Sequence, residues 1–338
     1  MSSFEILLSL IAAALAAAAS AILIQLTRPM LLRVAMAKPN ARSSHRVPTP
    51  QGGGIAVTAA TLLAGGTVIA MAGTPDLTVP LTVFAATLFI SLVGFVDDVR
   101  PLPVAPRLLL QAAAVAAVVF AAPGDLKIVP ACPFWLERGL LLVAGLWFVN
   151  LVNFMDGLDL MTASEAVPIA LAVALLGSFG HVPPAATLVA AALCGALLGF
   201  VPFNRPVAKI FLGDVGSLPI GLLLGWCLLE LAWHQQFAAA LLLPLYYLAD
   251  ATVTLLRRMA RREAFWAAHR SHFYQRATDN GFSVWQVVGE VFALNLVLAL
   301  LAIASVAVNS LAADIALLVA GGVAVATLLR RFSRPRHA

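Results

Sequence analysis

Apolar runs about as long as a bilayer is thick recur along this chain, and polar residues gather in the stretches between them. A helix that crosses the hydrocarbon core takes about 20 mostly apolar residues. Such runs lie at 4–26, 53–72, 79–96, 108–122, 139–154, 163–179, 185–203, 216–233, 237–256, 284–308 and 311–329. The pattern predicts an all-α polytopic membrane protein with about eleven transmembrane helices. The runs at 108–122 and 139–154 are short, so their ends are expected to extend or their helices to tilt little. Glu5 is the charge ahead of the first run and nothing basic precedes it, so this run is expected to stay as a span rather than be cleaved. No linker is long enough to separate folded units, and 1–338 is read as one integral membrane domain. Gly195/Gly199 and Gly221/Gly225 give GxxxG spacings, read here as internal helix packing in preference to a dimer seam, although a homodimer is compatible with them.

Composition narrows the class. The chain is 62% hydrophobic and 11% charged, against ~25% charged in soluble domains, which excludes a soluble fold. The net charge of +5 does not point to nucleic acid, because the basic residues follow the loops. With the N-terminus outside, all 21 Lys and Arg except Lys127 and Arg138 fall on the inner side, which puts the C-terminus in the cytoplasm. Arg257, Arg258, Arg261 and Arg262 are read as anchors for anionic headgroups. Cys132, Cys194 and Cys227 have neither metal-site nor disulfide spacing.

The carboxylates are not spread evenly. Asp97 and Asp98 end the third run in GFVDD, Asp156 and Asp159 follow the fifth in NLVNFMDGLDL, and Asp214 follows the seventh in FLGDVGS. Each alone suits a cap or turn. Five at one membrane edge suit a divalent cation, and Mg²⁺ works through one or two carboxylates plus substrate phosphates. A magnesium-assisted phosphoryl reaction is the natural expectation. HRVPTPQGGGIAV, 45–57, adds a glycine-rich entry that can approach a phosphate closely. Asn204 and Lys209 place an amide and a cation ahead of Asp214, and Arg107 is a further inner cation expected to bind substrate. In the last large loop, His269 and His272 are three apart, on one face of a short helix with Arg276 a turn beyond. Such a cluster suits a diphosphate better than it suits Mg²⁺, which prefers oxygen. Asp250 lies inside the ninth run without an assigned role.

GFVDD, NLVNFMDGLDL, NRPVAKIFLGDVGS and AHRSH resemble, in order and topology, the polyprenyl-phosphate N-acetylhexosamine-1-phosphate transferases over roughly 45–280. The resemblance implies transfer of a sugar-1-phosphate from a UDP-sugar to undecaprenyl phosphate, with release of UMP, at the cytoplasmic side of a bacterial inner membrane. It implies Mg²⁺ as cofactor, with Mn²⁺ as substitute. Asp214 resembles the family's metal-ligating aspartate, and Asp97 and Asp98 its adjacent pair, argued to act as base or to position the lipid phosphate. Asn153, Asp156 and Asp159 match the motif lining the nucleotide pocket, while Asn204 and Phe211 fall where its amide and uracil-stacking ring are expected. His269, Arg270 and His272 occupy the His-rich loop that contacts diphosphate and sugar. The muramoyl-pentapeptide branch carries three consecutive histidines there, and this chain has His-Arg-Ser-His. The loop looks more like the branch that starts O-antigen and similar surface polysaccharides from UDP-N-acetylglucosamine or a deoxy relative such as UDP-N-acetylfucosamine.

Three rivals fit less well. A secondary transporter would hold its acids near the midplane, commonly with internal repeats. A CDP-alcohol phosphotransferase needs an Ala-Arg pair that DGLDLMTASEAV lacks. A scaffold gives no reason to collect five aspartates at one mouth.

Overall fold

Inside a bilayer every backbone polar group needs an internal partner, and a helix supplies one within its own segment. The computed structural model describes residues 3–37, 48–73, 77–263 and 269–336, and these are predominantly helical. The helices are α1 Ser3–Val34, α2 Gly53–Ala72, α3 Thr78–Val99, α4 Val104–Ala121, α5 Phe134–Met155, α6 Met161–Ser178 and α7 Pro184–Asn204. They continue as α8 Asp214–Trp233, α9 Phe237–Leu242, α10 Leu245–Ala260, α11 Phe273–Asp279, α12 Val284–Val308 and α13 Leu311–Phe332. Two-residue strands, β1 Met36–Ala37 and β2 Thr49–Pro50, pair antiparallel. The two short predicted spans do lengthen, beginning at Val104 and Phe134.

Among the described residues ten helices are long and apolar enough to cross a membrane, against about eleven predicted. The difference is the ninth run, which breaks at Pro244 into α9 and α10. Proline brings no N–H to the ladder. The buried Glu165 of α6 then accepts the Tyr247 amide at 3.3 Å, supplying the new helix start with a carboxylate. Asn295 of α12 donates to the same Glu165 at 2.6 Å, which ties three elements at the break.

The centre is α8, buried over 89% of its apolar window, while α13, at 17%, offers most of its surface to lipid. Both GxxxG pairs face helices of the same chain. A Cβ on Gly195 would lie 2.0 Å from the Ala13 carbonyl oxygen, and one on Gly221 would lie 3.0 Å from Val149 Cα. An equally close crossing joins α2 to α8, where a Cβ on Gly54 would lie 2.1 Å from Gly216 Cα. That crossing brings the 48–53 segment against the start of α8: Gly52 and Gly53 amides donate to the Phe211 carbonyl at 3.1 and 2.9 Å. Of the glycine-rich motif at 45–57, residues 45–47 lie outside the described residues.

Candidate active site

Asp98 ends α3 beside the first turn of α8. Its two carboxylate oxygens accept the amides of Asp214 and Val215, each at 3.0 Å. A helix start leaves four amides unpartnered and carries partial positive charge, so a carboxylate there answers both. Gly213, at φ +76, holds the turn open for it, since a Cβ would lie 2.6 Å from Asp98 Oδ2. Gln51 locks the arrangement from the other side by donating to the Asp98 carbonyl at 2.9 Å. Backbone amides thus meet both oxygens of Asp98, and this carboxylate caps and positions α8.

Asp97 points elsewhere. Its Oδ1 accepts the Leu102 amide at 2.6 Å and its Oδ2 pairs with Arg107 Nη1 at 2.8 Å. Arg107, expected on substrate, is thus engaged by Asp97. The Asp97 carboxyl also contacts the side chain of Asp214. Asn153, from the last turn of α5, donates to Asp214 Oδ1 at 2.7 Å and to Ser217 Oγ at 3.0 Å. Two carboxylates in contact repel unless a proton or cation lies between them. The Asp97–Asp214 pair therefore fits a divalent cation, and two protein carboxylates are what Mg²⁺ ordinarily takes when substrate phosphates complete its shell. Among the described residues no three His, Cys, Asp or Glu side chains close on one point. The five aspartates share one rim, but they do not all meet around one ion.

Asp156 and Asp159 lie in the turn between α5 and α6. Asp156 accepts the Thr162 hydroxyl. Loss of water pushes its carboxyl up to about 7, with repulsion from Asp98 and Asp159 adding. Asp159 Oδ2 accepts the Ala208 amide at 3.1 Å. Asn204, buried, accepts the Leu160 amide at 2.7 Å and donates to the Ile210 carbonyl at 2.9 Å. Both ends of that amide bind the fold, and with Asp159 it clamps the 156–160 turn to the 204–210 loop. Lys209 is exposed, and Phe211 is half-buried with its backbone held by Pro50, Gly52 and Gly53.

The histidine loop differs most from expectation. Residues 269–272 are not helical; α11 begins only at Phe273. Asp250, fully buried, accepts His272 Nδ1 at 3.2 Å, the Phe273 amide at 3.0 Å, the Tyr274 amide at 3.1 Å and the Tyr246 hydroxyl at 3.1 Å. His272 is itself buried and secures the loop through Asp250. His269 stacks on it at 4.9 Å and pairs through Nδ1 with Ser271 Oγ at 2.8 Å. Burial, with His272 and Arg258 adding, brings the His269 imidazole down to about 4, so it is neutral at pH 7 and offers a hydrogen bond, not charge. Arg270 reaches Asp279 at 3.3 Å. Tyr274 donates to the Phe154 carbonyl at 3.1 Å, and Gly157 leaves it room, since a Cβ there would lie 2.2 Å from the hydroxyl oxygen. These contacts lay the loop against the aspartate rim.

Residues 80–232 match the sequence profile of glycosyl transferase family 4. Over these residues, somewhat less than half of the chain, the protein resembles that family. A phospho-N-acetylmuramoyl-pentapeptide-transferase of Limosilactobacillus fermentum is 32% identical over 160 residues, which cover 47% of this chain and 49% of that protein. A decaprenyl-phosphate N-acetylglucosaminephosphotransferase of Mycobacterium tuberculosis is 28% identical over 298 residues, 75% of this chain and 71% of that protein. A phospho-N-acetylmuramoyl-pentapeptide-transferase of Chlamydia pneumoniae is 34% identical over 154 residues, 42% and 43% of the two chains. The match thus spans about half the length of the first of these relatives. The glycosyl transferase family 4 region holds every rim aspartate together with Arg107, Asn153, Asn204, Lys209 and Phe211, and it stops short of the 269–272 loop.

Sequence reasoning missed several residues of the site. Asp250 had a visible signal, a carboxylate inside an apolar run, but its partners lie more than twenty residues on. Gln51, Thr162 and Ser217 carry no local signal, since a single hydroxyl or amide in a loop or first turn is common.

Proposed function

We propose that this protein transfers an N-acetylhexosamine-1-phosphate from a UDP-sugar to undecaprenyl phosphate, releasing UMP, as the first membrane step of a surface polysaccharide. The observation that carries this reading is the Asp97–Asp214 contact within an Arg107, Asn153 and Asp156 surround, at one rim of an apolar bundle. An oxygen of the lipid phosphate attacks the β-phosphorus of the UDP-sugar and the new P–O bond forms. The bridging bond to UMP breaks, and its electron pair leaves on the UMP phosphate. One phosphoanhydride replaces another, so no further energy source is needed.

The residues bind and align. Asn153 fixes the Asp214 carboxylate, and Arg107 with the Leu102 amide fixes Asp97. Mg²⁺ held by that pair would neutralise the diphosphate, the main requirement of phosphoryl transfer. A base is not required, because the second pKa of a phosphate monoester is near ~6 and the acceptor is mostly a dianion at pH 7. His269 donates to diphosphate or sugar as a neutral ring. A cavity of about 210 Å³ between α4, α5, α8 and the α9–α10 break, lined by Val118, Leu141, Phe148, Leu222 and Leu241, suits a prenyl tail.

Two features favour N-acetylglucosamine over muramoyl-pentapeptide as the donor sugar: the His-Arg-Ser-His loop, and the longer match to the decaprenyl-phosphate enzyme. Incubating the purified chain and undecaprenyl phosphate with UDP-N-acetylglucosamine, its deoxy relatives and UDP-N-acetylmuramoyl-pentapeptide, then resolving the lipids, tests this. A lipid product from the first or second donor is expected. Product from the pentapeptide donor alone would assign the peptidoglycan branch, and no product from any would reject the reaction.

A further inference from the structure

A second cavity, of about 330 Å³, opens between the last turn of α10, the start of α11 and the last turn of α13. Val253, Arg257, Phe273, Leu329, Arg330 and Arg334 line it. Arg257 lies over the Phe273 ring at 4.7 Å. All three arginines are exposed, and among the described residues none forms an ion pair. Neighbouring cations do: Arg258 meets Glu263 at 2.9 Å and Arg331 meets Glu290 at 2.7 Å. Three guanidinium groups without a counterion among the described residues therefore converge on a space that also has an apolar wall.

The wall continues away from the cavity. Ile315, Val319 and Val323 are exposed on α13, in steps of four residues that keep them close to one face, above Arg330 in the last turn. Guanidinium groups pair with phosphate through charge-assisted, often bidentate bonds, and basic pockets between transmembrane helices recognise anionic headgroups. A free phosphate would use the cations alone; a lipid uses the cations and the apolar face together. We propose that this cavity binds the headgroup phosphate of an anionic phospholipid whose acyl chains lie along the exposed face of α13. The site is separate from the aspartate rim and does not depend on the reaction assigned there.

Native mass spectrometry of the full chain, titrated with dioleoyl-phosphatidylglycerol, dioleoyl-phosphatidylcholine and inorganic phosphate, tests it. Phosphatidylglycerol should bind more tightly than phosphatidylcholine. The variant R330Q/R334Q should weaken phosphatidylglycerol about thirtyfold, the attraction expected of two arginines at a membrane surface. The variant R261Q/R262Q, which removes equal charge from a loop outside the cavity, should weaken it less than about threefold. Should R330Q/R334Q not fold, R257Q should weaken binding about fivefold. Equal losses in the loop variant would reduce the effect to diffuse charge and overturn the site. Displacement of phosphatidylglycerol by excess inorganic phosphate would overturn the lipid assignment, as would equal affinity for the two lipids.

Discussion

Asp156 is a rim carboxyl whose ionisation the fold brings close to neutral pH, at about 7. Its folded-state value lies above the unfolded 3.8, so the native chain holds a proton that the unfolded chain releases between those limits. Stability contributed by this group is therefore present below about pH 4 and declines as pH rises through about 7. Following the thermal midpoint in detergent against pH should show that decline, and D156N, which keeps the neutral shape, should flatten it. Asp250 accepts from several donors at once inside the protein. D250A leaves those donors without an acceptor and should cost about 3 kcal/mol. Limited proteolysis should then cut near 269–280 faster, and retained protection in D250A would remove Asp250 from its positioning role. Both residues show what a sequence can and cannot disclose. The rim aspartates stand out because charge is scarce in an apolar chain, but whether an oxygen faces a ligand or an amide depends on a partner a hundred residues away, as with Asp98 and Asp214.

At the scale of elements, the glycines set how closely helices approach. Gly54 and Gly216 bring α2 against α8, and α8 carries Asp214 in its first turn. G54A forces the helices apart at the rim; overpacking of this kind costs about 1–3 kcal/mol, and activity should fall with stability. G289A, which meets nothing within 4 Å, should change neither. Equal thermal midpoints for the two variants would contradict the close crossing. The spans themselves were legible, because apolar length is a local property. The break at Pro244 was not, since the composition of 237–256 reads as one run and the stabilising Glu165 belongs to another helix. The histidine loop was misread as a helix face for a similar reason: three-residue spacing is local, whereas Asp250 captures His272 from a distance.

For the whole molecule, we propose from the Lys and Arg bias of the loops that the side carrying the aspartate rim and the ends of α10 and α13 faces the cytoplasm. Cysteines introduced at Lys127 and Lys209 should respond oppositely to an impermeant thiol reagent on intact cells: the first labels and the second does not. The reverse pattern would invert the topology and detach the site from its cytosolic donor. The central claim is narrower, that the β-phosphate of the donor moves with the sugar to the lipid. UDP-N-acetylglucosamine labelled with phosphorus-32 at the β-position, incubated with the purified chain, Mg²⁺ and undecaprenyl phosphate, reads this directly. The account predicts label in the lipid fraction with an equal amount of unlabelled UMP, reduced at least about a hundredfold by D214N. Label remaining in water-soluble UDP while sugar enters the lipid, or full transfer by D214N, would contradict it.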